Sequence, residues 1–340
     1  MSGSQTVRIG LNGFGRIGRN VFRASLTDPR VEIAGINDVM DDDDMAYLGK
    51  YDTVMGRLDG VELDDGDLVV ADDDGELFRA PIYEKTDPEQ LPWDDLDVDV
   101  AFECTGIFRN YDDASKHVDA GADKTVISAP PKGDKPVKQL VYGVNHHEYE
   151  GEDVVSNASC TTNSITPVAK VLNDEFGIEN GQLTTVHAYT GSQNLIDGPK
   201  AKTRRGRAAA ENIVPTSTGA AQAATEVLPE LDGKLDGMAI RVPVPNGSIT
   251  EFVTTLEEDV TEGDVNGALT DAAAGEMEGV LGVTDDEVVS TDIQGTPYSS
   301  LVDLESTNVV NGLTKVLTWY DNEYGFSNRM LDVAEFVTEY

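Results

Sequence analysis

Residues 156–163 read SNASCTTN. The cysteine, Cys160, sits among hydroxyls and an amide, directly ahead of the apolar-periodic run ITPVAKVLNDEFG, so it falls where a helix is expected to start. A cysteine that only packs is flanked by apolar side chains, as Cys104 is in VDVAFECTG. A helix N-terminus and a nearby imidazole both lower a thiol pKa, to about 3.5–7.5 in reactive cysteines, and the thiolate is the nucleophile. Cys160 is therefore expected to be held anionic and reactive, and Cys104 to be inert. The chain has four histidines. His117 falls in a polar helix and is expected at the surface. His146 and His147 stand side by side in the turn VNHHEYEG and are expected to be solvated. His187, in the strand-like run LTTVHAYT, is the imidazole expected to serve Cys160 as base.

A second group of residues could hold a dinucleotide. Residues 7–19, VRIGLNGFGRIGR, place Gly13, Gly15 and Gly18 as GxGxxG after a strand-like run and at the opening of a helix. The first glycine makes a tight turn, the second lets backbone approach a pyrophosphate, and the third lets helix pack on strand. The helix N-terminus adds free N–H groups and partial positive charge. The next strand-like run, VEIAGIND, ends in Asp38, the acid this fingerprint expects on the adenosine ribose. A carboxylate there repels a 2′-phosphate, and neither Arg nor Lys directly follows it, so NAD is expected over NADP.

A third group could hold anions. Residues 200–207 carry Lys200, Lys202, Arg204, Arg205 and Arg207, five of the 25 cations in eight positions. Arginine makes bidentate contacts to oxyanions, and at least one of these is expected to meet a phosphate while the others serve a solvated or subunit-contact loop. Arg241, within AIRVP, is an arginine among apolar neighbours and calls for an anionic partner. PTSTGAA puts Thr216, Ser217, Thr218 and Gly219 ahead of another helix, again an anion-binding arrangement.

These groups need a scaffold, and 340 residues are enough for two domains. Up to about residue 160, strand and helix signals alternate, which points to a parallel sheet covered by helices. Beyond it, β-branched runs such as GQLTTVHAYT, GMAIRVPVP and SITEFVTTLEEDV point to a mixed, largely antiparallel sheet with helices on one face. In the tail, Phe326, Met330, Val333 and Val337 fall on one helical face. The fold class expected is α/β: a Rossmann-type cofactor domain plus an α+β catalytic domain. Two cysteines allow neither a disulfide framework nor an all-cysteine metal centre, and no metal is expected. No apolar run reaches membrane-spanning length, and MSGSQTVRIGLNG lacks a signal pattern, so a cytoplasmic protein is expected. A formal net charge of −38 argues against nucleic acid as a partner. Its acids come in blocks, Asp41–Asp44, Asp72–Asp74, Asp94–Asp95 and Asp285–Glu287, read as loop surfaces. Such a shell repels itself unless salt screens it, so a salt-loving source is expected.

With GLNGFGRIGR, KYDTVMGRLDG, CTGIF, ISAPPKG, NASCTTN, TVHAYT, PTSTGAA, RVPVPN and WYDNEYGFSNR in this order, the chain resembles phosphorylating glyceraldehyde-3-phosphate dehydrogenases over nearly its whole length. The resemblance implies a nucleophile at Cys160 and a base at His187. It implies a substrate phosphate on Thr190 and Arg241, and an inorganic phosphate on Ser159, Thr161, Thr218 and Gly219 with Arg205 nearby. It implies cofactor contacts from Asn12, Gly13, Phe14, Gly15, Arg16, Ile17 and Asp38, then Thr105, Ser128 and Asn322, the last on the nicotinamide carboxamide. Residues 1–159 and 322–340 would form the NAD-binding domain and 160–321 the catalytic domain, in a homotetramer with residues 189–211 near a subunit contact. The implied reaction is oxidative phosphorylation of glyceraldehyde 3-phosphate to 1,3-bisphosphoglycerate with NAD. Three departures stand out. Ser164 replaces a frequent second cysteine, Phe326 replaces a usual tyrosine, and Gly198 before Pro199 leaves NADP open as an alternative. Rival readings are an erythrose-4-phosphate dehydrogenase of the same family, a cysteine–histidine hydrolase or acyltransferase, and a non-catalytic NAD-binding protein.

Overall fold

A computed structural model describes residues 6–340; residues 1–5, the start of the stretch read as lacking a signal pattern, lie outside the described residues. The chain divides into two compact units. One holds the residues up to Leu140 together with His146–Ala158 and Ser327–Tyr340; the other holds Val141–Asn145 and Ser159–Phe326.

The first unit is built on a nine-stranded sheet. Its central strand, Val7–Asn12, lies between Val31–Asn37 on one side and Val100–Glu103 on the other, parallel to both. Lys124–Ile127, Val154–Ser156 and Lys138–Gln139 continue the parallel sheet past Val100–Glu103. Past Val31–Asn37 comes Gly75–Tyr83, then the antiparallel strands Asp67–Asp72 and Val61–Asp64. The chain thus winds outward both ways from Val7–Asn12, whose C-terminal end is the switch point where α/β sheets bind ligands. Strands buried on both faces read as near-continuous apolar runs, as Ile9, Leu11, Val100, Ala101 and Phe102 show. The tail helix Tyr324–Glu339 buries Met330, Val333 and Val337, and Arg30 clamps it through Asp332 (2.9 Å) and Glu335 (2.8 Å).

Several surface expectations need correction here, Asp72 among them, since it ends the strand Asp67–Asp72. Asp42–Asp44 are not loop: they form the first turn of the helix Asp42–Lys50, with Asp41 capping it by accepting the Asp43 N–H. Carboxylates at that end complement the helix dipole, which is why an acidic run can start a helix. His117 is not at the surface; it is fully buried, because its ring nitrogens find polar partners inside the unit. Of the turn histidines, His147 is exposed, whereas His146 is half-buried with its ring edge-on to Phe336 at 4.9 Å.

The second unit is a seven-stranded mixed sheet. Ile178–Ala188 pairs in parallel with Leu235–Val242 and antiparallel with Ser248–Leu256, which in turn pairs antiparallel with Leu313–Tyr320. Ser248–Leu256 alternates strictly between buried and half-buried positions, the mark of a sheet with one face on the core. The helix Cys160–Phe176 packs against this sheet. Its Ile165, Val168, Ala169 and Leu172, spaced by three and four residues, are all fully buried. Burial of each large aliphatic among them is worth about 1.5–3 kcal/mol. That is enough to hold the helix, and the cysteine at its tip, despite the backbone bond lost at Pro167.

Candidate active site

Cys160 is the first residue of its helix. Ser159 makes the N-cap, its hydroxyl accepting the Thr162 N–H at 3.0 Å, a contribution of about 1 kcal/mol. Ala158, just before, holds a left-handed φ of 56°, which costs a non-glycine residue about 1–3 kcal/mol. The sulfur lies 3.4 Å from Nε2 of His187. His187 projects from the strand Ile178–Ala188. Its Nδ1 lies 2.7 Å from the Ala188 carbonyl oxygen. A carbonyl only accepts, so the ring proton sits on Nδ1 and Nε2 turns a lone pair toward the sulfur.

The charge balance corrects one expectation. Burial pushes the Cys160 thiol above its usual range; Arg241 and the hydroxyl and N–H groups of the helix tip pull it down but do not reverse the rise. His187 is driven down to about 3, first by burial and then by the charges of Arg241 and Arg205, against its bond to Ala188. Both shifts favour a neutral thiol facing a neutral imidazole over a thiolate–imidazolium pair. The helix-tip groups act in the direction the sequence implies, and desolvation outweighs them. A lone-pair nitrogen in contact with a thiol is a general base that makes the nucleophile as it reacts.

Arg241 lies beside this pair. Its Nη1 donates to the Ala188 carbonyl at 3.0 Å and to Thr190 Oγ1 at 3.4 Å, while its Nε is buried without a partner. Burial lowers its pKa, the cost of a guanidinium held from water. Thr190 and Arg241 thus come together beside the pair. Arg205 donates to Thr216 Oγ1 (3.1 Å) and to the Ser217 carbonyl (3.2 Å), and Arg207 pairs with Asp197 at 2.9 Å. Thr218 accepts the Ala220 N–H at 3.1 Å, and Gly219 is the exposed N-cap of the helix Ala220–Val227. The Thr161 hydroxyl is turned inward, 3.0 Å from Tyr320.

The first unit holds a cavity of about 350 Å³ lined by Asn12, Gly13, Gly15, Asp38, Lys85 and Thr105, among others. Gly13 has φ +99°, and a Cβ there would lie 2.6 Å from the Thr105 nitrogen; at Gly18 it would lie 1.9 Å from the Gly13 oxygen. Around Gly15 a Cβ would meet nothing within 4 Å, and no side chain caps the helix Arg16–Ser25 that begins there. Open space over bare N–H groups fits a pyrophosphate. Asp38 accepts the N–H of Phe14 on Oδ2 (2.6 Å) and of Met40 on Oδ1 (3.0 Å), and each oxygen keeps a lone pair for a ribose hydroxyl. Phe14 is instead buried against Phe22 (5.6 Å), Arg16 is paired with Asp52, and Ile17 is half-buried. Ser128 donates its N–H to the Glu103 carbonyl at 3.0 Å and its hydroxyl lies on the Cys104 thiol, which burial pushes up as expected of an inert cysteine.

Sequence reasoning missed four contributors. The Ala188 carbonyl orients both His187 and Arg241. Ser248 accepts the Ala188 N–H (3.1 Å) and donates to Asn322 Oδ1 (2.8 Å), tying Asn322 to the same residue. Tyr320 places its hydroxyl 2.7 Å from Thr185 Oγ1, with its ring edge-on to His187. Lys85 lines the cavity that holds Asp38, its backbone held by Asn37. Only Tyr320, two residues before Asn322 in WYDNEYG, carried a sequence signal.

Comparison with known proteins bears on the same residues. Residues 7–111 match the family model for the glyceraldehyde 3-phosphate dehydrogenase NAD binding domain, and residues 159–322 the model for its C-terminal domain. The chain is 77% identical over 336 residues, 99% of each chain, to a glyceraldehyde-3-phosphate dehydrogenase of Haloarcula vallismortis. It is 48% identical to that of Geobacillus stearothermophilus (97% of this chain, 98% of the relative). It is also 48% identical to glyceraldehyde-3-phosphate dehydrogenase A of Escherichia coli (98% and 100%).

Proposed function

The chain belongs to the glyceraldehyde-3-phosphate dehydrogenase family, and from that premise we propose that it oxidises glyceraldehyde 3-phosphate with NAD and inorganic phosphate to 1,3-bisphosphoglycerate. The observation that carries the reading is the Cys160–His187 contact of 3.4 Å, with its polarity set by Ala188 and the guanidinium of Arg241 beside it, held by Ala188 and Thr190.

The chemistry follows from these groups. His187 Nε2 takes the thiol proton as the sulfur adds to the aldehyde carbon and passes it to the carbonyl oxygen, which becomes the thiohemiacetal hydroxyl and leaves Nε2 free again. Nε2 then removes that hydroxyl proton while the carbon loses hydride, leaving a thioester on Cys160. The open backbone at Gly15 and the Asp38 carboxylate would hold NAD in the glycine-turn cavity, and bound NAD would supply the hydride acceptor. Inorganic phosphate attacks the thioester, the C–S bond breaks, and the acyl phosphate leaves. Arg241 with Thr190 supports the substrate phosphate. Ser159 and Thr218–Gly219, with Arg205, are assigned to inorganic phosphate. In this scheme Thr161 acts through its backbone, since its hydroxyl is on Tyr320. A hydrolase reading would leave the dinucleotide cavity without a use.

The residues up to 159 and from 322 are assigned to coenzyme binding and 160–321 to catalysis. The protein is placed in the cytoplasm as a homotetramer. No described helix is long and apolar enough to cross a membrane. Leu195 and Ile196, 80% and 76% exposed within residues 189–211, support a subunit contact there. The deciding experiment is initial rates with glyceraldehyde 3-phosphate and, separately, erythrose 4-phosphate, with and without phosphate, on each coenzyme. Phosphate-dependent NADH formation that Cys160→Ser abolishes and His187→Asn slows is expected. Near-normal turnover of Cys160→Ser would overturn the assignment.

A further inference from the structure

Three neighbouring parallel strands end at one register on polar residues: Asn37, Asn12 and Glu103. All three side chains are buried, and their hydrogen-bond polarity can be read from fixed ends. The Lys85 N–H donates to Asn37 Oδ1 (2.8 Å) and the Lys85 carbonyl accepts from Asn37 Nδ2 (3.0 Å). Asn37 Nδ2 also donates to Asn12 Oδ1 (2.7 Å), which turns Asn12 Nδ2 onto Glu103 Oε2 at 2.6 Å. From the other side, the indole N–H of Trp93 donates to Nδ1 of His117 (3.0 Å). The ring proton of His117 is therefore on Nε2, which donates to the same Glu103 oxygen at 3.3 Å. The N–H of Thr105 (2.8 Å) and its hydroxyl both donate to Glu103 Oε1, and Thr105 Oγ1 accepts the Ile107 N–H at 3.0 Å. Every partner donates, so the position requires a side chain that accepts on both atoms, which among uncharged and charged isosteres only a carboxylate does.

We propose that Glu103, braced by His117 and Trp93, is a positioning residue for the coenzyme site. This rests on the dinucleotide reading of the cavity above. One carboxylate ties together the segments that line it: Asn12 before Gly13, Thr105 against Gly13, and through Asn12 and Asn37 the backbone of Lys85. Thr105 and Asn12 consequently spend their polar side-chain atoms inward. They shape the wall that the ligand meets, and Thr105 turns no hydroxyl proton toward it.

His117 gives the cleanest test, because two substitutions divide its two bonds. His117→Gln reaches as far as Nε2 and keeps a donor for Glu103; His117→Asn keeps only an acceptor near Trp93. Glu103→Gln puts an NH₂ against groups that all donate. NAD dissociation constants are measured by titration of the full-length protein, with steady-state kinetics and amide hydrogen exchange at Lys85 and Thr105. His117→Asn and Glu103→Gln are expected to weaken NAD about tenfold, a shift of about 1.4 kcal/mol. The same variants should speed exchange at both amides and leave kcat at saturating NAD within about twofold. His117→Gln is expected to stay within about twofold of the parent throughout. Should Glu103→Gln not fold, the His117 pair decides. A folded His117→Asn that binds NAD like the parent overturns the proposal, as does a His117→Gln as impaired as His117→Asn, since ring packing alone would then account for both. A parent protein without saturable NAD binding would instead refute the cavity reading, and this proposal with it.

Discussion

Gly15→Ala separates what the glycine turn does for the fold from what it does for the ligand. Gly15 sits at φ −70°, ψ −159°, a conformation open to alanine, and the added Cβ would meet nothing within 4 Å. Alanine stabilises by about 0.4–1 kcal/mol through the unfolded chain and is a somewhat poorer N-cap than glycine. The net effect is under about 1 kcal/mol, so Tm should move by no more than about 2–4 °C. Binding is another matter. The methyl occupies the space through which a pyrophosphate reaches the bare N–H groups of the helix Arg16–Ser25. Loss of one charge-assisted hydrogen bond costs about 1.5–3 kcal/mol, or roughly 10-fold to 150-fold in affinity. Calorimetric titration with NAD and with adenosine, which lacks the pyrophosphate, is the assay. NAD should weaken and adenosine should not. Gly18→Ala is the counterpart: its Cβ would lie 1.9 Å from the Gly13 oxygen, so the fold itself must shift, at about 1–3 kcal/mol. A Gly15→Ala protein that binds NAD within about twofold of the parent would refute the assignment of that open space to pyrophosphate.

Three further outcomes are expected. Asp38→Ala should raise the rate with NADP relative to NAD, because the carboxylate that would repel a 2′-phosphate goes, and rate ratios for the two coenzymes check it. His187 has its pKa lowered from 6.5 to about 3, so below pH 6.5 the unfolded chain binds a proton that the folded chain refuses; stability is retained above that pH and falls as pH drops toward 3, by up to about 1.4 kcal/mol per pH unit, and His187→Asn should flatten the slope of Tm against pH over that window. With a net charge of −38, Tm should rise with KCl as screening shortens the Debye length from about 10 Å at 0.1 M to about 3 Å at 1 M, and a Tm indifferent to KCl would remove the charge-repulsion account.

Local chemistry with one dominant cause was legible in the sequence. The parallel sheet and the helix start at Cys160 follow from apolar periodicity and from a serine cap, both of which act within a few residues. Glycines at fixed offsets report backbone needs, and the structure shows two of the three in positions a side chain could not share. What escaped was set by distant partners. His117 looked like surface because its helix neighbours are polar, yet its burial is decided by Trp93 and Glu103, which lie elsewhere in the chain. Lys85 is far from Asp38 in sequence, yet it lines the same cavity, because Asn37, the neighbour of Asp38, holds its backbone. Arg16, a natural candidate for phosphate, is claimed by Asp52, whose other oxygen accepts the N–H groups of Val54 and Met55 at 2.9 Å.

The thiol pair shows why a reactive residue need not be a charged one at rest. Arg241 pulls the Cys160 pKa down and pushes the His187 pKa down with the same charge. The first effect favours losing the thiol proton; the second disfavours the imidazole receiving it. An anion bound at the partnerless face of Arg241 weakens both effects, and relief of the imidazole is the part that restores a base. On the proposed assignment of the substrate phosphate to Arg241, substrate would bring with it the change that lets Nε2 accept a proton, when the sulfur has a carbonyl to attack. A thiol kept neutral until then is protected from oxidation and from stray electrophiles, since reactivity follows thiolate character. On that assignment, the desolvation that raises the Cys160 thiol would tie the nucleophile to the presence of its substrate.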